Sequence, residues 1–202
     1  HRTASEIASK QALSYTMTGL HVATLRKHWR YGLAFVQHDF SLDTLFSRIQ
    51  NADVFYNYFK RQLRLYGELA IDNEFRVATI HGVHYALSEE VSFSCNVRYY
   101  QPDYQSFTSS SVGRQSSVEN ERGINTNMKF TLTERLSCIV ANDIFVIPHE
   151  WTGIPWPSQG NVLRLRLSYK MFSGLYMYYQ AGFTRQTSKT EMGFDMPQKQ
   201  SH

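Results

Sequence analysis

Residues 162–186, reading VLRLRLSYKM, then FSG, then LYMYYQAGFTRQ, constrain the chain most tightly. Leu163, Leu165, Leu167, Tyr169 and Met171 alternate with Arg164, Arg166, Ser168 and Lys170. A period of two sends the apolar groups to one face of a strand and the cations to the other. A helix would scatter the arginines around its circumference. Ser173-Gly174 supplies a tight connection, because glycine adopts positive φ at little cost. The return segment alternates again through Leu175, Met177, Tyr179, Ala181 and Phe183. This is a two-faced β-hairpin.

Most of the chain repeats the pattern. Tyr15–Leu25 and Tyr31–Gln37 read as strands joined at Arg26–Trp29. Asp39–Asn51 loses the alternation, and its LDTLFSRI segment predicts a short loop helix. Val54–Phe59 and Leu63–Ile71 turn at Lys60-Arg61. Phe75–Leu87 places Arg76, Ile80 and His84 opposite Phe75, Val77 and Val83, and Val91–Tyr99 alternates cleanly. A long polar loop, Gln101–Glu121, precedes the segment Ile124–Leu132. Leu136–Ile147 sets Asp143 opposite Leu136, Val140 and Ile144, and a second long loop, Pro148–Gly160, leads to the final hairpin. Some ten strands with no convincing helix between them predict an all-β, antiparallel, up-and-down domain over residues 1–202.

Whether those strands cross a membrane turns on length, aromatics and loops. The predicted strands of about 10–12 residues fit a tilted spanning strand better than the roughly 5–6 of a soluble one. Trp29 and Tyr31, Tyr99 and Tyr100, Trp151 and Trp156, and Phe172 and Tyr176 gather near strand ends, as interfacial girdles do. Short turns at one end and longer loops at the other complete the expectation of a transmembrane β-barrel in a bacterial outer membrane, with lipid as its partner. The alternative is a secreted soluble β-sandwich binding carbohydrate or protein, whose leucine faces would meet a second β layer. With 42% hydrophobic residues and a mean hydropathy of -0.41, the chain has no run long enough for a spanning helix. Strand parity puts both chain ends on the outer side, so the expectation is a fragment of a larger barrel, with any leader removed upstream. Cys95 and Cys138 sit among apolar neighbours and read as free thiols.

If the apolar faces meet lipid, the others line a wet interior. Arg64, Arg76, Arg98, Lys129, Arg164, Arg166 and Lys170 there outnumber Glu68 and Asp143. A confined excess of cations, in a chain of net charge +4, favours an anionic solute or polymer. The competing explanation is that these arginines pair with carboxylates and merely hold the wall together. His81 and His84 fall on opposite faces, which argues against joint metal ligation. No GxSxG elbow fixes a nucleophile for a barrel lipase, and no phosphate-binding glycine loop is present. Glu89-Glu90 reads as a solvated turn. The expectation is a non-enzymatic, porin-like or docking protein with no cofactor.

The stretch RYYQPDYQSF (Arg98–Phe107), followed by ENERG (Glu119–Gly123), resembles the C-terminal region of bacterial helix-hairpin-helix-containing proteins. RQLRLYGELA (Arg61–Ala70) and IPWPSQG (Ile154–Gly160) share the likeness. In that family, helix-hairpin-helix repeats precede an outer-membrane-type β-barrel. The resemblance implies that an outward strand ends in the YQP-YQS loop, where Tyr100, Pro102, Asp103, Tyr104 and Gln105 shape the outer surface. It further implies that Glu119 and Arg122 pair to close that loop. Contact with nucleic acid would come only through helix-hairpin-helix repeats, which lie outside this sequence.

Overall fold

The computed structural model describes residues 14–41, 48–109, 112–113, 117–149 and 157–188. Ten strands follow one another in the order of the chain: β1 (Tyr15–Arg26), β2 (Trp29–Phe40), β3 (Arg48–Lys60), β4 (Leu63–Asp72), β5 (Val77–Ala86), β6 (Val91–Tyr100), β7 (Glu121–Thr131), β8 (Leu136–Ile147), β9 (Ser158–Phe172) and β10 (Leu175–Ser188). Each pairs antiparallel with the next in a single up-and-down sheet. The sheet is not closed, since no pairing joins β1 to β10. Among the described residues no second β layer lies against it.

Cross-strand register assigns every side chain to a face, because directly opposed residues point the same way. One face carries Leu20, Val22, Leu33, Phe35, Val54, Leu69, Val97, Ile124, Val140, Leu163, Leu165 and Leu167. These side chains are bare: Leu163 is 47% exposed, and Leu165 and Leu167 are each 36% exposed. Cys95 and Cys138 are unbridged on this apolar face. The opposite face holds Arg64, Glu68, Arg98, Lys129, Asp143 and Arg164, while Gln37, Asp39, Arg48, Gln50 and Arg122 lie on the apolar face, near the strand ends.

The polar face is concave. Phe107 lies seven residues beyond Tyr100, the end of β6, yet its ring packs 5.1 Å from those of Tyr15, His38 and Phe40 on β1 and β2. Across a flat sheet, five strand spacings come to roughly 24 Å, about the full extended reach of seven residues. The loop spends part of that reach turning at Asp103, whose φ is 59°. The contact therefore requires the sheet to curl toward the loop.

Two-residue turns at Lys27-His28 and Arg61-Gln62 join β1 to β2 and β3 to β4, with Lys27 and Arg61 at φ of 49° and 53°. Hairpins this short need left-handed residues to match strand twist. Gly174, at φ 93°, fills that role before β10.

Several boundaries differ from the sequence reading, among them the end of β2 at Phe40 and the start of β9 at Ser158, inside the predicted loop. The predicted helix at LDTLFSRI gives way to strand at Arg48-Ile49, where Arg48 Nε donates to Asp39 Oδ1 at 2.7 Å and Gln50 Nε2 to Gln37 Oε1 at 2.7 Å; Asp43–Ser47 and Leu42 lie outside the described residues. These cross-strand bonds extend the ladder beyond the point where hydrophobic alternation stops. Phe75 and Arg76 belong to a turn, not a strand, because Asp72 Oδ1 accepts the backbone N–H groups of Glu74 and Arg76. The strand expected from Ile124 starts three residues earlier, at Glu121.

Candidate functional site: a loop clamp over a charged concave face

The concave face is organised along the strands. Toward the long loops it is packed and acidic; toward the short turns it is hollow and cationic.

At the loop end, Arg98 on β6 is the centre. Its Nε donates to Glu121 Oε1 at 2.5 Å, Nη1 to Asp143 Oδ1 at 2.7 Å and Nη2 to Asp143 Oδ2 at 3.2 Å. Arg98 is 1% exposed and Glu121 fully buried. Such a cluster holds only because each charge is paired and hydrogen-bonded. Glycines make the room. Gly123 is the direct cross-strand partner of Arg98, and a Cβ there would overlap the guanidinium. A Cβ on Gly113, in the loop above, would overlap the Glu121 carboxylate.

The loop that follows β6 is fastened inward at several points. Tyr104 drops onto Ala70, Ala78 and Tyr100, whose small or flat side chains share one row of β4, β5 and β6, with Val118 packed alongside. Asn51 Nδ2 donates to the Tyr104 hydroxyl at 3.2 Å and to the Gln105 carbonyl at 2.7 Å. Asp72 Oδ2 accepts from the Gln105 N–H at 3.1 Å. Arg76 pairs with Asp72 at 3.1 Å and Glu74 at 2.6 Å and also donates to the Asp103 carbonyl. Gln101 Oε1 accepts from the Val77 N–H at 3.0 Å. Burial, helped by the nearby carboxylates of Asp72 and Glu68, pushes the Tyr104 phenol up to about 12. Asn120, at φ 51°, exchanges two hydrogen bonds with the backbone of His149 and so ties this loop to the next.

The cationic half lies below. Arg64, His84, Ser94 and Asn127 are successive cross-strand partners, and Arg164 continues their row past Ala141. Lys129 and Arg166 flank Ile139 one row further toward the turns, and Lys170 lies beyond them on β9. Among the described residues none of Arg64, Lys129, Arg164, Arg166 and Lys170 has a carboxylate within salt-bridge distance. Two of them have aromatic or amide partners: Arg64 reaches Asn57 Oδ1 at 3.4 Å and lies 6.0 Å from the Tyr66 ring centre, while Arg166 lies 4.9 Å from that of Tyr178. A hollow of about 570 Å³ opens here, lined by Phe55, Asn57, Arg64, Tyr66, Glu68 and His84 among others.

The sequence-named residues therefore separate into groups. Arg64, Glu68, Arg98, Lys129, Asp143, Arg164, Arg166 and Lys170 do share the concave face. Arg98 and Asp143 neutralise one another within it, so neither is available to a solute. Arg76 is off the sheet, in the β4–β5 turn. Of the loop residues, Tyr100 and Tyr104 are buried, Gln105 is held through its backbone N–H and carbonyl, and Pro102 precedes the Asp103 turn. Glu119 and Arg122 do not pair: Arg122 is the second residue of β7, on the apolar face, with its guanidinium 5.1 Å from the Tyr99 ring centre. Glu119 precedes β7, and Glu121, its first residue, is the carboxylate that closes on Arg98. The signal for Glu121 was present, since it shares the phase of Asn125, Asn127 and Lys129. His81 and His84 do lie on opposite faces. Among the described residues no group of three His, Cys, Asp or Glu side chains is placed to hold a metal ion.

No family model matches the chain, and no curated protein matches it. Among solved structures, a chain from a study of the in-meso crystallisation of membrane proteins aligns at 11% identity over 86% of this chain and 70% of its own length, with a TM-score of 0.38.

Proposed function

We propose that this chain forms wall of a porin-like, non-enzymatic outer-membrane β-barrel, with acyl chains against its leucine face and water against its concave face. The bare leucine face carries the reading: among the described residues, nothing covers Leu163, Leu165 and Leu167 on this single-layer sheet. A sandwich would bury them under a second layer. Strands of 10–15 residues reach across a roughly 30 Å hydrocarbon core at a membrane strand's tilt. The resemblance of Arg98–Phe107 and Glu119–Gly123 to the barrel region of helix-hairpin-helix proteins supports the same location. The solute is anionic, because the unpaired cations of the concave face gather in its hollow half.

Two measurements test this. Folded in detergent, the chain should migrate differently on gel electrophoresis before and after boiling; recovery as a monodisperse, β-rich protein without detergent would defeat the membrane assignment. In planar bilayers under a salt gradient, the reversal potential should report anion preference. Replacing Arg64, Arg164 and Arg166 together by glutamine should abolish that preference, and an unchanged potential would defeat the anionic-solute assignment.

A further inference from the structure

The hollow beside Arg64 is built more specifically than an anion-attracting wall requires. Tyr66 lies flat across the sheet onto β5: a Cβ on its cross-strand partner Gly82 would overlap the phenol ring. Glycine at position 82 thus turns Tyr66 into a platform whose outer π-face, with the Arg64 guanidinium 6.0 Å from its centre, looks into the hollow. On the turn side of that ring stands Arg64, with His84 and Ser94 as the next two members of its row. On the loop side stands Glu68, two residues along the same strand. Arg64 and Glu68 are four residues apart, roughly 13 Å between their Cα atoms. Once both side chains reach inward, about the length of one substituted sugar ring is left between them, over the aromatic face.

We propose that this hollow binds a sugar bearing one anionic group, a phosphate or a carboxylate. The anionic group sits against Arg64, His84 and Ser94, the ring's C–H face lies on Tyr66, and Glu68 accepts from a hydroxyl at the far end. Each part fits a different portion of such a ligand. Arg64 offers a forked donor, His84 and Ser94 further N–H and O–H donors, and the platform apolar contact. Glu68 excludes a polyanion, whose next phosphate would fall beside its carboxylate. The volume, about 570 Å³, is that of a small-molecule site. The assignment rests on the concave face meeting water and solute, and it names the solute class for that face.

The test is isothermal titration of the full 202-residue chain, folded in detergent micelles, with glucose 6-phosphate, methyl glucuronide, glucose and inorganic phosphate. Glucose 6-phosphate or methyl glucuronide should bind at least tenfold more tightly than either glucose or phosphate, and which of the two wins distinguishes phosphate from carboxylate. Arg64→Gln and Gly82→Ala should each weaken binding at least fivefold, while Lys170→Gln leaves it unchanged. All three variants are first shown to retain the heat-sensitive gel mobility of the folded chain. Equal affinity for phosphate and glucose 6-phosphate, or equal losses in Arg64→Gln and Lys170→Gln, would reduce the hollow to a diffuse cationic surface and overturn the proposal. A chain that folds in detergent and conducts anions but binds neither acidic sugar sinks this proposal alone. A chain that binds them but needs no detergent sinks the membrane reading instead.

Discussion

Replacing Arg98 by methionine tests the loop clamp directly. The wild-type guanidinium makes three hydrogen bonds of 2.5–3.2 Å to two carboxylates, with its side chain and that of Glu121 wholly buried and that of Asp143 10% exposed. Methionine fills much of the volume but takes from Glu121 and Asp143 the guanidinium that they share. Removing one partner of a buried pair costs roughly 3–5 kcal/mol, most of it the penalty of the stranded charges. Taking Glu121→Gln and Asp143→Asn away with Arg98 removes those charges, and replacement of a whole buried ion cluster by neutral groups of similar volume is often close to neutral. The triple variant should therefore recover most of the loss, to within about 2 kcal/mol of wild type, because the amides can bond one another and the loop backbone. Urea unfolding of the detergent-folded chain, followed by circular dichroism, reads both numbers. Equal destabilisation in the single and triple variants would show that packing of the long arginine stem, and not charge pairing, holds this region.

Three further outcomes follow from individual positions. Gly123→Ala should cost about 2 kcal/mol in the same unfolding assay, since its Cβ displaces the Arg98 guanidinium from both carboxylates. Lys27→Gly should raise stability by about 1 kcal/mol, because a left-handed lysine is strained and the turn is solvent-facing. Alkali should release the loop: the folded state favours the protonated Tyr104 phenol, so its contribution is complete below pH 10 and lost as pH climbs toward 12. Tyrosinate absorbance and protease cleavage near residue 105 should rise together over that interval, and Tyr104→Phe should remove the dependence.

Much of this was legible from one dimension. Alternation alone marks Leu163–Met171 and Val91–Tyr99 as strands and sorts their faces, because a strand's period is fixed by covalent geometry. It fails where the local pattern and the tertiary pattern disagree. Around Arg48 the sequence carries leucines at helical spacing, but the chain is bound by polar cross-strand bonds that no periodicity reports. At Arg76 the alternation continues through a turn that Asp72 dictates. The charge cluster needed pairing across three strands, β6, β7 and β8, whose register is set by loops of 20 and 4 residues between strand ends. Sequence could place Arg98 and Asp143 on one face, but not in contact. The platform under Tyr66 depends on Gly82, sixteen positions away, and nothing local announces that relation.

The division of the concave face follows from what the loop consumes. Holding the described part of so polar a loop against the sheet requires partners for its backbone, and Asp72, Asn51 and Arg76 supply them. Glu121 and Asp143 are likewise committed to Arg98. All three of these carboxylates lie toward the loops, which leaves Glu68 to face Arg64 across the hollow and Arg164, Arg166, Lys129 and Lys170 without one of them nearer the turns. The positive field of the hollow half is then a consequence of anchoring the loop, not a separate feature. Cutting the anchor should weaken the field: with Asp72→Asn and Tyr104→Phe together, a freed loop no longer narrows the passage beside Glu68, and added water screens the cationic rows. Anion preference in the bilayer assay should fall relative to wild type even though no cation has been removed. An undiminished preference would mean that the loop and the cationic rows act independently.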